Sequence, residues 1–207
     1  MAAKSHWDNV YAGKPAHGVS WYQERAALSL RLIQATGAAQ AAGIIDIGGG
    51  ASVLVDDLLA AGYSNLTVLD LCSAALAVSQ ERLGAKAGQV RWVQADITQV
   101  ELPHHAYAVW HDRAVFHFLT DPEERAAYVR TVLHAVKPGG HVIVASFAED
   151  GPERCSGLPV VRYTPDRLSA ELGAGFAPVT HERESHRTPS GAEQPFMYHL
   201  YRKRDVV

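Results

Sequence analysis

Apolar runs alternate with amphipathic stretches along most of this chain. Ile44-Ile45-Asp46-Ile47 is a short, nearly continuous β-branched run, the pattern of a strand covered on both faces. Gly48-Gly49-Gly50 follows, and Leu54, Val55, Leu58 and Leu59 then recur at helical spacing. Ser52 predicts the cap of that helix and Gly62 its end. The alternation repeats down the chain. Asn65 to Asp70 predicts a second strand, followed by a helix capped by Ser73 that stops at Gly84. Val90 to Val93 is a third strand and Ala106 to His111 a fourth. Asp121-Pro122-Glu123-Glu124 places a cap, a first-turn proline and a third-position glutamate at a helix start. That helix carries Tyr128, Val129, Val132, Leu133 and Val136 to a stop at Pro138-Gly139-Gly140, before a fifth strand over His141 to Phe147. Strands separated by helical stretches need crossovers, so the first five predict a parallel sheet. Thr164-Pro165-Asp166 opens one more helix, ending near Gly173. Phe176 to Glu184 and Phe196 to Arg204 then read as two adjacent, antiparallel strands. Ahead of all this, residues 5–36 read as helical with a break between Gly13 and Gly18. Ser5 and Asp8 form a possible capping box there, and a second helix runs from about Ser20 to Thr36 with Leu28, Leu32 and Ile33 inward.

The glycine turn is the centre of the chemistry. Three glycines let the backbone turn sharply and approach a ligand with no Cβ in the way. The helix start behind them aims free N–H groups and its dipole at whatever sits over the turn. The dinucleotide fingerprint needs glycines at relative positions 1, 3 and 6. Here those positions hold Gly48, Gly50 and Val53, so the third is missing. Acids stand at or just past three successive strand ends: Asp46, Asp70 and Asp96. A buried Asp46 needs partners, either the N–H groups of the turn or a ligand's amine. Asp70 lies 22 residues after Gly48, where a carboxylate takes both hydroxyls of a ribose. Asp96 on its own reads equally as a turn cap.

Apolar run, acid, then Gly-x-Gly resembles motif I of the class I S-adenosylmethionine-dependent methyltransferases. Asp70, Asp96, the Pro138-Gly139-Gly140 turn and the closing strand pair agree with it in order and spacing over roughly residues 40–204. The resemblance implies a doubly wound Rossmann-like α/β sheet, mostly parallel with a C-terminal antiparallel hairpin and helices on both faces. It divides the chain into an N-terminal helical lid segment, residues 1–39, and an S-adenosylmethionine-binding domain, residues 40–207. It also implies a cofactor site of Asp46, Gly48, Gly49, Gly50, Asp70, Leu71, Asp96, Ile97 and Trp21, with S-adenosyl-L-homocysteine as product. Methyl transfer would follow by in-line displacement at the sulfonium carbon, so alignment and exclusion of water are the main tasks.

Acceptor-side candidates come from two regions. His111, Asp112, Arg113 and His117 follow the fourth strand, at the sheet edge where open α/β sheets bind ligands. The two histidines are base candidates, with Asp112 the alternative. Structural readings compete: an Asp112–Arg113 ion pair, and a core histidine at 117. Trp7, Tyr11, Trp21 and Tyr22 crowd the N-terminal segment as a candidate aromatic lid. The loop Glu149 to Tyr163 adds Cys155 and Arg162. Trp7, Tyr11, Tyr22, Cys155 and Arg162 are therefore candidate substrate contacts. The lid resembles those of small-molecule methyltransferases, including thiol-type enzymes. His6-Trp7-Asp8-x-x-Tyr11 with Asp112-Arg113 also looks like the seven-strand protein-lysine methyltransferases, but Arg113-Ala114 stands where those carry Lys-Gly. The expected acceptor is a small nucleophile such as a thiol, with protein lysine as the alternative and a non-catalytic cofactor-binding module as the reading from another class.

Bulk properties narrow the rest. The chain has 207 residues, enough for one domain with a full core. A net charge of −3 makes no electrostatic case for nucleic acid. No run is long enough to span a membrane, and the N-terminus has no apolar signal segment. Cys72 and Cys155 make no disulfide framework, which predicts reduced thiols in a cytoplasmic protein. No metal site is expected.

Overall fold

The computed structural model describes residues 2–13 and 16–205. Ile44–Ile47 is the central strand, β1, and all four of its residues are buried. Leu66–Asp70 (β2) and Val90–Gln94 (β3) lie to one side of it, Tyr107–Arg113 (β4) and Val136–Phe147 (β5) to the other, all parallel. A small hairpin, Arg154–Cys155 (β6) and Leu158–Pro159 (β7), stands apart from the sheet. Phe176–Arg187 (β8) and Glu193–Lys203 (β9) are antiparallel, with β9 against β5 and β8 outside it. The seven-strand order is β3-β2-β1-β4-β5-β9-β8. The strand order reverses between β1 and β4, so their C-terminal ends leave a crevice, the place where open α/β sheets hold ligands.

Side-chain alternation along β1 separates two cores. Ile44 joins Val68, Val109 and Ile143 under Ala27–Ala35 (α2), Leu54–Ala60 (α3) and Ser73–Leu83 (α4). Ile45 and Ile47 join Trp110, Val142 and Val144 under Pro122–Ala135 (α5) and Pro165–Leu172 (α6). Asp121 accepts from the Glu123 N–H at 2.8 Å and Thr164 from the Arg167 N–H at 3.3 Å, so both Pro-started helices carry the predicted cap. The N-terminal helix α1, Ala2–Gly13, lies against α4.

Several boundaries move, each for a tertiary reason. The expected helix from Ser20 shortens to α2, because side chains elsewhere take the backbone of residues 20–26. Arg113 Nη1 donates to Trp21 O at 3.2 Å, His186 Nε2 pairs with Ser20 O at 2.7 Å, and the Ala26 N–H donates to Asp57 at 2.9 Å. Ser5 lies within α1 rather than capping it. The N-cap of α4 is Cys72, not Ser73, and Asp70 accepts the Cys72 N–H at 2.8 Å. β4 runs two residues beyond His111, through Arg113. β5 starts at Val136, and its pairing skips from Tyr107↔Val136 to Val109↔His141, so Pro138-Gly139-Gly140 bulges out of the sheet.

Candidate active site

A cavity of about 370 Å³ opens at the C-terminal ends of β1, β2 and β4. Ile47, Gly48 and Asp70 form its floor, Asp96, Ile97 and Thr98 one side, and Phe118 and Leu119 another. Trp7, Tyr11 and Trp21 roof it from the N-terminal segment, and Cys155, Leu158 and Pro159 close it from the β6–β7 hairpin. The roof is held by ring packing: Trp7 sits edge-on to Trp21 at 5.5 Å and to Phe118 at 5.2 Å, and Tyr11 to Trp21 at 6.2 Å. A smaller pocket adjoins it over Gly48 and Gly49, walled by Tyr22, Gln23, Asp46, Ala51, Ser52 and His111.

The sequence dictates each polar placement. Asp46 and His111 are register partners on neighbouring strands, so their side chains share a face. Asp46 Oδ1 meets His111 Nδ1 at 2.7 Å, and His111 Nε2 meets Ser29 Oγ at 2.9 Å. Both ring nitrogens are thus engaged, while buried Asp46 Oδ2 has no hydrogen-bond partner. Asp70 accepts from the Gly50 and Cys72 N–H groups at 3.0 and 2.8 Å. Burial, opposed by those bonds, pushes its carboxyl up to about 6. Asp96 Oδ1 accepts from the Thr98 N–H at 2.9 Å and the Thr98 hydroxyl at 2.7 Å, which fixes the loop after β3. Gly48 has φ +66°, and a Cβ there would overlap Val115. A Cβ on Gly49 would overlap Asp46 Oδ2, and one on Gly50 would collide with Asp70 and Ala75. The turn admits only glycine: Gly48 for its positive φ and Val115, Gly49 and Gly50 for the acids behind them.

On the other side of the crevice Arg113 lines both cavities. Its guanidinium donates to Tyr198 Oη at 2.8 Å and to Trp21 O at 3.2 Å, lies 3.5 Å from Glu184, and stacks 4.3 Å from the Phe196 ring centroid. Gln23 Nε2 donates to the same Glu184 at 3.2 Å. Arg113 thereby ties β4 to β8, β9 and the chain segment under the roof.

Residues 44–140 match the family of methyltransferase domains, Methyltransf_25. Those residues hold the glycine turn and the parallel strands β1 to β4, and the seven-strand sheet around them has the class I methyltransferase fold. No curated protein sequence matches the chain. Among solved structures, one associated with conversion of a disulfide bond into a thioacetal group during echinomycin biosynthesis aligns with TM-score 0.79 and 16% identity, over 98% of this chain and 92% of that one. The Burkholderia thailandensis 1,6-didemethyltoxoflavin-N1-methyltransferase, with bound 1,6-didemethyltoxoflavin and S-adenosylhomocysteine, aligns with TM-score 0.70 and 20% identity over 99% and 85%. The N-methyltransferase NodS of Bradyrhizobium japonicum, in complex with S-adenosyl-L-homocysteine, aligns with TM-score 0.68 and 20% identity over 87% and 86%. At these identities the likeness is one of fold, and it covers the antiparallel strand pair as well as the parallel core.

The crevice offers groups that fit the S-adenosylmethionine implied by the resemblance. The unpaired Asp46 oxygen beside Gly49 offers an acceptor in the small pocket. The glycine turn leaves room that any Cβ would fill. Of the residues expected around the donor, Gly48, Asp70, Leu71, Asp96, Ile97 and Trp21 line the main cavity, Asp46 and Gly49 line the small pocket, and Gly50 donates to Asp70 from behind. Trp7, Tyr11, Cys155 and Arg113 also line the main cavity, and Tyr22 lines the small pocket.

The remaining candidates are placed elsewhere. Arg162 is turned to Gly151 O at 3.1 Å and Glu153 at 3.0 Å, outside the cavity walls. Asp112 is fully buried behind the wall and does not pair with Arg113. It accepts from the Val115 and Phe116 N–H groups at 2.8 and 3.0 Å and from Tyr128 Oη at 2.7 Å. His117 is fully buried beside Phe118 and Phe147, with neither ring nitrogen hydrogen-bonded. Burial drives its pKa down to about 3. Burial also raises the Cys155 thiol to about 11, so it is neutral. Among the described residues no group of three or more His, Cys, Asp or Glu side chains is arranged to hold a metal ion, and no helix is long and apolar enough to cross a membrane. Sequence reasoning did not reach Ser29, Glu184 or Tyr198, which contact His111 and Arg113 from 82, 71 and 85 residues away. It also missed the β6–β7 hairpin. The Ser156-Gly157 pair, both at positive φ, was a local signal for it.

Proposed function

We propose that the methyltransferase transfers the methyl group of S-adenosylmethionine to a heteroatom, such as a thiol, of a small molecule. The observation that carries this reading is the roof. Trp7, Trp21 and Phe118 pack edge-on over the cavity while Cys155, Leu158 and Pro159 close its flank. Such an enclosure suits a compact acceptor better than a side chain presented by a folded protein. Asp70 takes the ribose hydroxyls, Asp96 with the backbone at Ile97 takes the adenine edge, and Asp46 Oδ2 takes the amino group at the methionine end. When bound, the donor supplies an electrophilic methyl on a sulfonium. The chain's share is alignment and a dry, aromatic-walled space. No histidine among the described residues lines the main cavity, and His111 is held on both ring nitrogens. On this reading neither His111 nor His117 takes a proton from the acceptor. The N-terminal segment to residue 39 acts as the lid of this site.

The test is incubation of the protein with methyl-labelled S-adenosylmethionine and a lysate lacking the gene, followed by separation by size. Label in the low-mass or volatile fraction is expected. Label in a single protein band would refute the small-molecule reading in favour of a lysine acceptor. Cofactor binding without transfer to any fraction would favour a non-catalytic module.

A further inference from the structure

Charge is distributed unevenly around the main cavity. Among the described residues its charged lining is Asp70, Asp96, Glu124 and Arg113. Asp70 and Asp96 belong to the donor in the reading above, and Glu124 is solvent-exposed. Arg113 is the only lysine or arginine, in a lining that also holds Trp21, Phe118, Cys155 and Leu158.

The guanidinium fork of Arg113 is under-used. Nε donates to Tyr198 Oη at 2.8 Å and Nη1 to Trp21 O at 3.2 Å. Nη2 is buried and makes no hydrogen bond. Its ion-pair partner Glu184 stands 3.5 Å away, too far and too occupied to satisfy it. Both Glu184 oxygens already accept from Gln23, and one also from Tyr198. Unspent donors on a buried cation are costly and call for an acceptor.

The positive field extends to the cavity wall. Arg113 opposes the burial-driven rise of the Cys155 thiol, and it adds to the depression of His117. At His186, on β8, Glu184 counters it. The charge of Arg113 is thus offset toward β8 and stands uncompensated toward Cys155.

We propose that the acceptor binds as a small organic anion, a thiolate or carboxylate in class, with its charged group held by Arg113. This rests on the methyltransferase reading above and specifies its substrate class. A neutral acceptor would leave the Arg113 donors poorly matched, and a cationic one would meet like charge.

The experiment titrates the complex with S-adenosylhomocysteine and reads affinity by nuclear magnetic resonance. The probes share one ring and differ in charge: thiophenolate and benzoate, neutral benzamide, and benzylammonium. At pH 8 at least one anion is expected to bind tenfold or more tightly than benzamide, with benzylammonium weaker still. Which anion leads distinguishes thiolate from carboxylate. Glu184→Gln removes the competing carboxylate, keeps an oxygen for Gln23, and should raise the anion preference at least twofold further. Arg113→Lys keeps the charge and the preference, whereas Arg113→Gln brings anion and benzamide within twofold of each other. Benzamide and S-adenosylhomocysteine affinities are read in every variant, because loss of fold lowers all of them and loss of the charge lowers only the anions. Benzamide or benzylammonium binding as tightly as both anions, no detectable anion binding, or an anion preference that survives Arg113→Gln overturns the proposal while the methyltransferase reading stands. If Arg113→Gln does not fold, a preference that Glu184→Gln leaves unchanged or weakens overturns it instead. Failure of the wild-type protein to bind S-adenosylhomocysteine overturns that reading, and this one with it.

Discussion

Asp70→Asn tests the cofactor site most sharply, because the substitution keeps the shape and removes a charge. Both carboxylate oxygens already accept a backbone N–H, Gly50 at 3.0 Å and Cys72 at 2.8 Å. An amide has one oxygen, so either orientation turns an NH₂ toward one of those donors. The unpaired N–H costs about 2 kcal/mol. Against this stands the penalty of a buried carboxylate. A rise from 3.8 to about 6 corresponds to about 3 kcal/mol at neutral pH, which the amide does not suffer. The two effects nearly cancel, and the melting temperature should shift by less than about 5 °C. Cofactor affinity has no such compensation. Two charge-assisted bonds to ribose hydroxyls contribute about 1.5–3 kcal/mol each, and an amide oxygen keeps at most one neutral bond. The net loss is about 2–4 kcal/mol, or about 30- to 700-fold in Kd. Calorimetric titration with S-adenosylhomocysteine, beside a thermal melt, measures both. A variant that melts normally and binds within threefold of wild type would refute the ribose assignment.

Ionisation of the same carboxyl gives a pH signature. Its folded pKa of about 6 lies above the unfolded 3.8, so S-adenosylhomocysteine affinity should decline as pH falls through about 6, and calorimetry at pH 7.5 and 5 would show whether it does. His117 acts oppositely on stability. Its folded pKa is depressed from 6.5 to about 3, so the unfolded chain binds the extra proton and stability is lost as pH drops below 6.5. His117→Phe removes two unpaired buried nitrogens and should recover about 2 kcal/mol at pH 5, read from denaturant unfolding; an unchanged midpoint would sink this account. Gly48→Ala forces a left-handed alanine against Val115 and should cost about 2–4 kcal/mol in thermal or denaturant unfolding, with loss of donor binding. Tyr128→Phe strips a donor from Asp112 and an acceptor from the Trp110 indole N–H, which it meets at 2.7 and 2.9 Å. A destabilisation of about 2–3 kcal/mol is expected by denaturant titration, without a change in donor affinity.

The parallel core was legible because its signals are local. Apolar runs, a glycine turn and acids at strand ends all lie within a few residues of one another, and β1, β2 and β3 fall close to where periodicity puts them. The helix from Ser20 failed because its backbone is held by Arg113, His186 and Asp57, distant in sequence. On the β4 side, residue type alone did not separate groups on the cavity wall from those behind it. Alternation along an extended strand through residue 113 sends Asp112 to the face opposite His111 and Arg113, but ending the strand at His111 hid that. His117 attracted attention as a base, and only burial shows it facing Phe147 and Phe118.

The position of β9 bears on how the site comes into being. It follows β8 in the chain yet lies inside it, wedged against β5. Tyr198, which fixes Arg113, and Lys203, which donates to Val136 O at 2.7 Å, both belong to it. During synthesis, the glycine turn and its acids emerge more than a hundred residues ahead of that strand. A nascent chain lacking β9 has its donor half encoded and exposed while Arg113 has no clamp and the roof segment no anchor. Assembly of the Arg113 side of the crevice therefore waits for β9. A ribosome-arrested series lengthened through residue 203 should show protease protection of the roof segment appearing only after β9 has cleared the exit tunnel.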